Sequence, residues 1–208
     1  MPNSHHLTLT DIANMAIDWC GGSLSISNID DQNPDAMVCK RNIHQAIVTE
    51  LDKYEWAFAR KTVIAIEDTR EENKIPGYEH CYVLPEDFSR LSMYTAFEHM
   101  CMPPVSEYQP MHSYLIQNGR LYTHSKIKYL CYNSNNVPID KWPALFADIV
   151  ALNLAERIAG KLRGMDADIS FINSLRKDKL KDARRLELIQ TEAQQGGFST
   201  LHVNRRIP

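Results

Sequence analysis

The sequence predicts an α+β fold: a helical bundle built from N- and C-terminal helices, with an antiparallel β domain inserted between them. Three observations predict it. Apolar residues recur at helical spacing near both ends of the chain, over 9–17 and 39–54 and again over 145–162 and 169–189. The middle of the chain is built instead from short β-branched and aromatic runs separated by turn residues. Within it stands Asn118-Gly119, a pair that tolerates the positive φ of a two-residue hairpin turn. The implied domains are 1–56 with 137–195 for the bundle, 57–136 for the β insertion, and 196–208 for a C-terminal tail.

Each element follows from local chemistry. Thr8 or Thr10 is placed to cap a first helix with Leu9, Ala13, Ala16 and Ile17 on one face, and Gly21-Gly22 stops it. Asn33-Pro34 reads as N-cap and first-turn proline of a second helix, about 34–55. Its expected apolar face is Cys39, Ile43, Ile47, Leu51 and Tyr54. A strand is expected at 62–66, a polar loop at 67–74 and a turn at Pro76-Gly77. A weak strand over 78–84 ends at Pro85, a short helix is expected within 86–100, and Pro103, Pro104 and Pro110 hold an extended loop. The Asn118-Gly119 turn pairs Gln117 with Arg120, Ile116 with Leu121, and Tyr114 with Thr123. Ile116 and Leu121 then share one face, and Leu115 and Tyr122 the other. A third strand of this region covers 127–132. After Pro143, the stripe Leu145, Ile149, Leu152, Ala155, Ala159 and Leu162 predicts a helix closed by Gly164. A last helix is expected over about 166–194, ending at Gly196-Gly197.

Composition excludes several classes. The 208 residues are 44% hydrophobic and 24% charged, as in ordinary globular proteins, and suffice for a core without disulfide or metal staples. A net charge of −3 argues against chain-wide attraction to nucleic acid or to an anionic membrane. No stretch approaches the roughly 18 apolar residues of a membrane span. The first apolar stretch is broken by Asp11, Asn14 and Asp18, which predicts no signal peptide. Five cysteines, odd in number and without a CxxC pair, read as reduced thiols in a cytosolic setting.

The chain has no GxSxG elbow, no glycine-rich phosphate loop and no HExxH, so no catalytic residue, cofactor or metal site is predicted. His80 and Cys81 are adjacent in an expected strand and so point to opposite faces. Asp30-Asp31 and Glu86-Asp87 read as a solvated loop and a helix start. The one concentration of charge is Arg176, Lys177, Lys179, Lys181, Arg184 and Arg185 against Asp178 and Asp182. An exposed helix, a protein contact or a phosphate contact all fit it. Two classes therefore stand beside a structural role. One is a nucleic-acid-binding packaging or regulatory protein using 176–185. The other is an enzyme using Cys81 or a histidine, which would require a thiol of depressed pKa.

Four spaced blocks say more when read in order. They are Trp56-Ala57-Phe58-Ala59; the pattern PGYxxxYxLPxD from Pro76 to Asp87; YxIxxGxL from Tyr114 to Leu121, followed by Tyr129; and Pro143 with Phe146, followed by Leu154-Ala155 and Ile158-Ala159. The series resembles the tail tubular protein A family, the head-to-tail adaptors of short-tailed phages, over roughly residues 8–163. The loop 67–75 and the helix 166–194 have no counterpart in that pattern. The resemblance implies a structural virion protein without cofactor, located in the tail at the portal vertex. It implies a homo-oligomeric ring of about twelve copies closed by rotation. Its partners would be the portal protein and the tail nozzle protein, and DNA would pass through the channel without specific binding. It also implies core roles for Trp56, Phe58, Tyr78, Tyr82, Phe146 and Leu154, and portal docking by the tail residues Phe198, Leu201, Arg205 and Arg206. The loops 67–77 and 101–111 are the expected tail contacts.

Overall fold

The computed structural model of the chain describes residues 7–22, 25–70, 74–92, 114–162 and 168–199, the last segment as backbone alone beyond residue 187. Four helices and two antiparallel sheets make an α+β fold in which helices flank a β region in chain order. The described residues divide into two compact units, Met1–Glu50 with Pro138–Pro208, and Leu51–Val137.

The first unit is helical. Helix α1, Leu9–Trp19, starts in a reciprocal capping box: Asp11 N–H donates to Thr8 Oγ1 at 3.2 Å, and Thr8 N–H donates to the Asp11 carboxylate at 2.8 Å. It ends in a Schellman motif. Gly21 takes φ +74°, Gly22 N–H donates to Ile17 O at 2.9 Å, and Gly21 N–H donates to Asp18 O at 2.8 Å. Helix α2, Pro34–Lys53, is capped by the Asn33 side chain, which accepts from Asp35 N–H at 2.9 Å. Helix α3, Ala144–Leu162, begins on the Pro143 carbonyl and is buried nearly all round, from Phe146 to Ala159. Helix α4, Ile169–Ser199, is capped by Asp168, which accepts from Phe171 N–H at 2.9 Å. Both α1 and α4 pack against α3.

Three expectations change here. Leu9 is exposed, and Ile12 joins Ala13, Ala16 and Ile17 on the buried face of α1. The buried residues of α2 are Ala36, Cys39, Ile43, Ala46, Glu50 and Leu51, so Cys39, Ile43 and Leu51 of the expected face are buried, while Ile47 is half-buried and Tyr54 lies beyond the end of the helix. A chain of four-residue steps drifts by about 40° per step around a helix, so alternating steps of three and four hold a face and repeated fours leave it. Helix α4 also runs through Gly196-Gly197 to Ser199, so the double glycine does not end it. Glycine lowers helix propensity by about 1 kcal/mol, which the rest of a long helix outweighs.

The second unit is built of strands. β1 (Arg60–Ile64) and β2 (Ile66–Glu67) form one nearly continuous extended segment shared between two sheets. β3 (His80–Val83), β4 (Phe88–Leu91), β5 (Leu115–Gln117), β6 (Arg120–Thr123) and β7 (Tyr129–Ser134) complete them. The strand orders are β1-β7-β4 and β2-β3-β6-β5. The β5–β6 hairpin has the expected register, with Gln117 opposite Arg120, Ile116 opposite Leu121 and Leu115 opposite Tyr122. Asn118 at φ +50° and Gly119 at φ +68° form its turn. Phe88–Leu91 pairs with β7 across a register shift between Phe88 and Arg90, where a short helix was expected, and 93–100 lies outside the described residues. Here partner strand β7 overrides local helical preference. Tyr82, Leu121, Ile127, Leu130 and Tyr132 form the core of this unit, with Val63, Ala65, Leu84, Phe88 and Leu91 packed against it.

Candidate functional site

Three polar clusters stand out, one in the helical unit and two in the β unit. In the first, Glu50 is fully buried on α2. It accepts from Arg176 Nη1 of α4 at 2.8 Å and from Asn153 Nδ2 of α3. Arg176 Nη2 reaches Glu156 at 2.9 Å, and Arg157 Nη2 reaches Thr49 Oγ1 at 3.0 Å. Farther along, Lys179 pairs with Asp148 at 2.8 Å. The cluster joins three helices by charge-assisted bonds.

The second cluster surrounds Asp87, which Lys61 Nζ, Ser134 Oγ and Tyr132 OH approach at 2.5, 2.7 and 2.8 Å. Burial pushes this carboxyl up, but the bonds from Lys61, Ser134 and Tyr132 outweigh it and bring the pKa down to about 2. Burial and the neighbouring Asp87 together raise the Tyr132 phenol. Asp87 is thus a pin joining β1, β7 and the start of β4, and no solvated helix start.

The third cluster lines a recess of about 230 Å³ bounded by Glu67, Asp68, Lys74, Tyr78, His80 and Cys81 among others. Arg70 grips Asp68 through Nε and Nη2 at 2.9 and 2.7 Å, and Arg120 Nε adds a bond at 3.0 Å. The Arg70 bonds hold the Asp68 carboxyl well below the usual carboxylate range against the opposing effect of burial, and Arg120 helps. His80 Nδ1 lies 2.8 Å from Glu67 Oε1. Cys81, next in the chain, is buried on the other face of β3, and burial pushes its thiol up. An activated cysteine needs the opposite shift. Among the described residues no group of three or more His, Cys, Asp and Glu side chains is placed to hold a metal ion.

No protein-family model matches the chain, and no curated protein matches it significantly. No helix of the described residues is long and apolar enough to cross a membrane.

The residues of the four blocks take separate positions. Trp56, Tyr82, Phe146 and Leu154 are buried. Phe58 and Tyr78 are half-buried. Phe58 leans on Trp56 with ring centroids 5.8 Å apart. Tyr78 stacks on the exposed His124 ring at 4.8 Å, at the rim of the recess rather than in the core. Tyr82 combines burial with a bond, its hydroxyl accepting from Ile127 N–H at 3.0 Å. The proposed docking residue Phe198 belongs to the last turn of the α4 backbone. Leu201, Arg205 and Arg206, the loop 101–111 and Gly164 lie outside the described residues. Sequence reasoning missed Glu50, took Asp68 for part of a polar loop although it is buried and held by Arg70 and Arg120, and took Asp87 for a helix start. The only signal for Glu50 was its position, seven residues after Ile43 on the same helix.

Proposed function

We propose that the chain is a structural virion protein, a head-to-tail adaptor subunit that forms a ring between portal and tail nozzle around the DNA channel. The observation that carries this reading is the ordered series of blocks from Trp56 to Ala159. Its residues supply packing and turn geometry in both units: Trp56 and Tyr82 in the β unit, Asn118-Gly119 in the hairpin, Phe146 and Leu154 in α3. A series that supplies core and turns is what a scaffold family retains. The exposed Ile64, Ile66 and Val83 also support it, because an assembling subunit keeps apolar surface for neighbours. Ring number near twelve, the portal and nozzle as partners, and docking through Phe198, Leu201, Arg205 and Arg206 belong to the same proposal.

The alternative, a packaging or regulatory protein that binds nucleic acid through 176–185, has fewer cations than the sequence offered. Arg176 and Lys179 are engaged with Glu50, Glu156 and Asp148.

Native mass of the purified chain, alone and mixed with the portal of the same virus, tests the adaptor reading. A shift to portal plus about twelve copies supports it. A chain that ignores the portal and remains a small closed oligomer overturns it.

A further inference from the structure

Six cations lie on α4 between Arg176 and Arg185, and the fold divides them. Arg176 and Lys179 turn toward α2 and α3 and are ion-paired there. Lys177, Lys181 and Arg185 follow one another at i, i+4 and i+8 along the solvent side. All three are exposed, and among the described residues they make no ion pair. Arg184 is exposed beside them. At the helical rise the line spans about 12 Å.

We propose that this line is a sequence-independent contact for the phosphodiester backbone of double-stranded DNA. Charge complementarity names the class of partner, and the neighbouring residues choose within it. Ser170 and Ser174 are exposed on the same side, so the described part of this face carries hydroxyls and cations without an apolar side chain. A protein interface is centred on apolar or aromatic anchors and is depleted in lysine. A phosphate backbone requires only charge and donors. Of the exposed apolar residues of α4, Phe171 and Leu186 fall on a neighbouring flank with Asp178 and Asp182, and Ile169 lies in the first turn on the other flank. The inference stands on α4 alone and does not rest on the adaptor reading. Three phosphates neutralised give a slope of log K against log salt of about −2.7, so affinity falls about 40-fold between about 50 and 200 mM salt. Such a contact guides a duplex at low cost and releases it.

Fluorescence anisotropy with a labelled duplex of random sequence, using the full chain, tests the proposal. The expected result is binding at low salt with a slope near −2.7. Lys177→Glu, Lys181→Glu and Arg185→Glu combined should abolish it while the melting temperature stays unchanged. The neutral set Lys177→Gln, Lys181→Gln and Arg185→Gln covers misfolding of the reversed variant, and its slope should approach zero. No binding at low salt, or binding that survives both triple variants, overturns the proposal. Tighter binding of polyglutamate than of the duplex would overturn it too, in favour of an acidic protein partner.

Discussion

The Arg176 guanidinium of α4 donates at 2.8 Å to the Glu50 carboxylate of α2, a group with no solvent exposure. The pair lets α4 dock by charge where little of its described surface is apolar and buried: only Ile172 and Ala183 are buried apolar residues on it. Arg176→Ala leaves Glu50 without its cation and should destabilise the chain by about 3–5 kcal/mol in urea unfolding. Replacing both partners, Glu50→Leu with Arg176→Met, should recover most of the loss. A double variant as unstable as Arg176→Ala would show that the pair is not the source of the effect.

Asp87 gives the β unit an acid sensitivity with a definite sign. Its folded pKa, about 2, lies below the value of about 3.9 for a free aspartate. The stabilisation is therefore complete above the unfolded value and is lost as pH falls through the folded one, between about pH 5 and pH 2. Asp68, also held low, contributes in the same direction. Asp87→Asn should flatten the stability profile across that window. Asp87→Ala should cost about 1–3 kcal/mol at neutral pH, because Tyr132 and Ser134 lose their acceptor. Chemical denaturation across the acid range measures both effects.

Two glycines should respond to alanine with opposite signs. A Cβ on Gly22 would lie 2.3 Å from Ile17 Cγ2 and 2.9 Å from Ile17 O, and Ile17 is itself buried. Gly22→Ala should therefore destabilise by about 1–3 kcal/mol. Gly160 sits in α3 with nothing within 4 Å of a built Cβ, so Gly160→Ala should stabilise by about 0.5–1 kcal/mol. Thermal melts of the two variants should move in opposite directions.

Much of the fold was legible because local signals coincided. Thr8, Asn33 and Asn118-Gly119 each set backbone geometry through their own side chains or φ preference, so their elements form where the sequence places them. The strand at Phe88–Leu91 was not legible. Its conformation depends on pairing with Tyr132 to Ser134, more than forty residues away in sequence. The end of α4 was misread for the reverse reason, since a local breaker at Gly196-Gly197 was weighed without the long helix before it.

The candidate sites divide along the same line. The sequence by itself determined the helical ends and the strand-rich middle, the hairpin register, the caps at Thr8 and Asn33 and the run of charge over 176–185, because periodicity and turn chemistry act within a few residues. It also carried the four blocks. Only the tertiary structure decided which charges turn inward. Arg176 and Lys177 are neighbours in the chain, yet one meets buried Glu50 and the other meets water. Asp87 became a pin only when Lys61, Tyr132 and Ser134 were brought to it from distant strands. The physical reason is that ionic partners are set by the packing of separate elements, which residue spacing along one element does not encode.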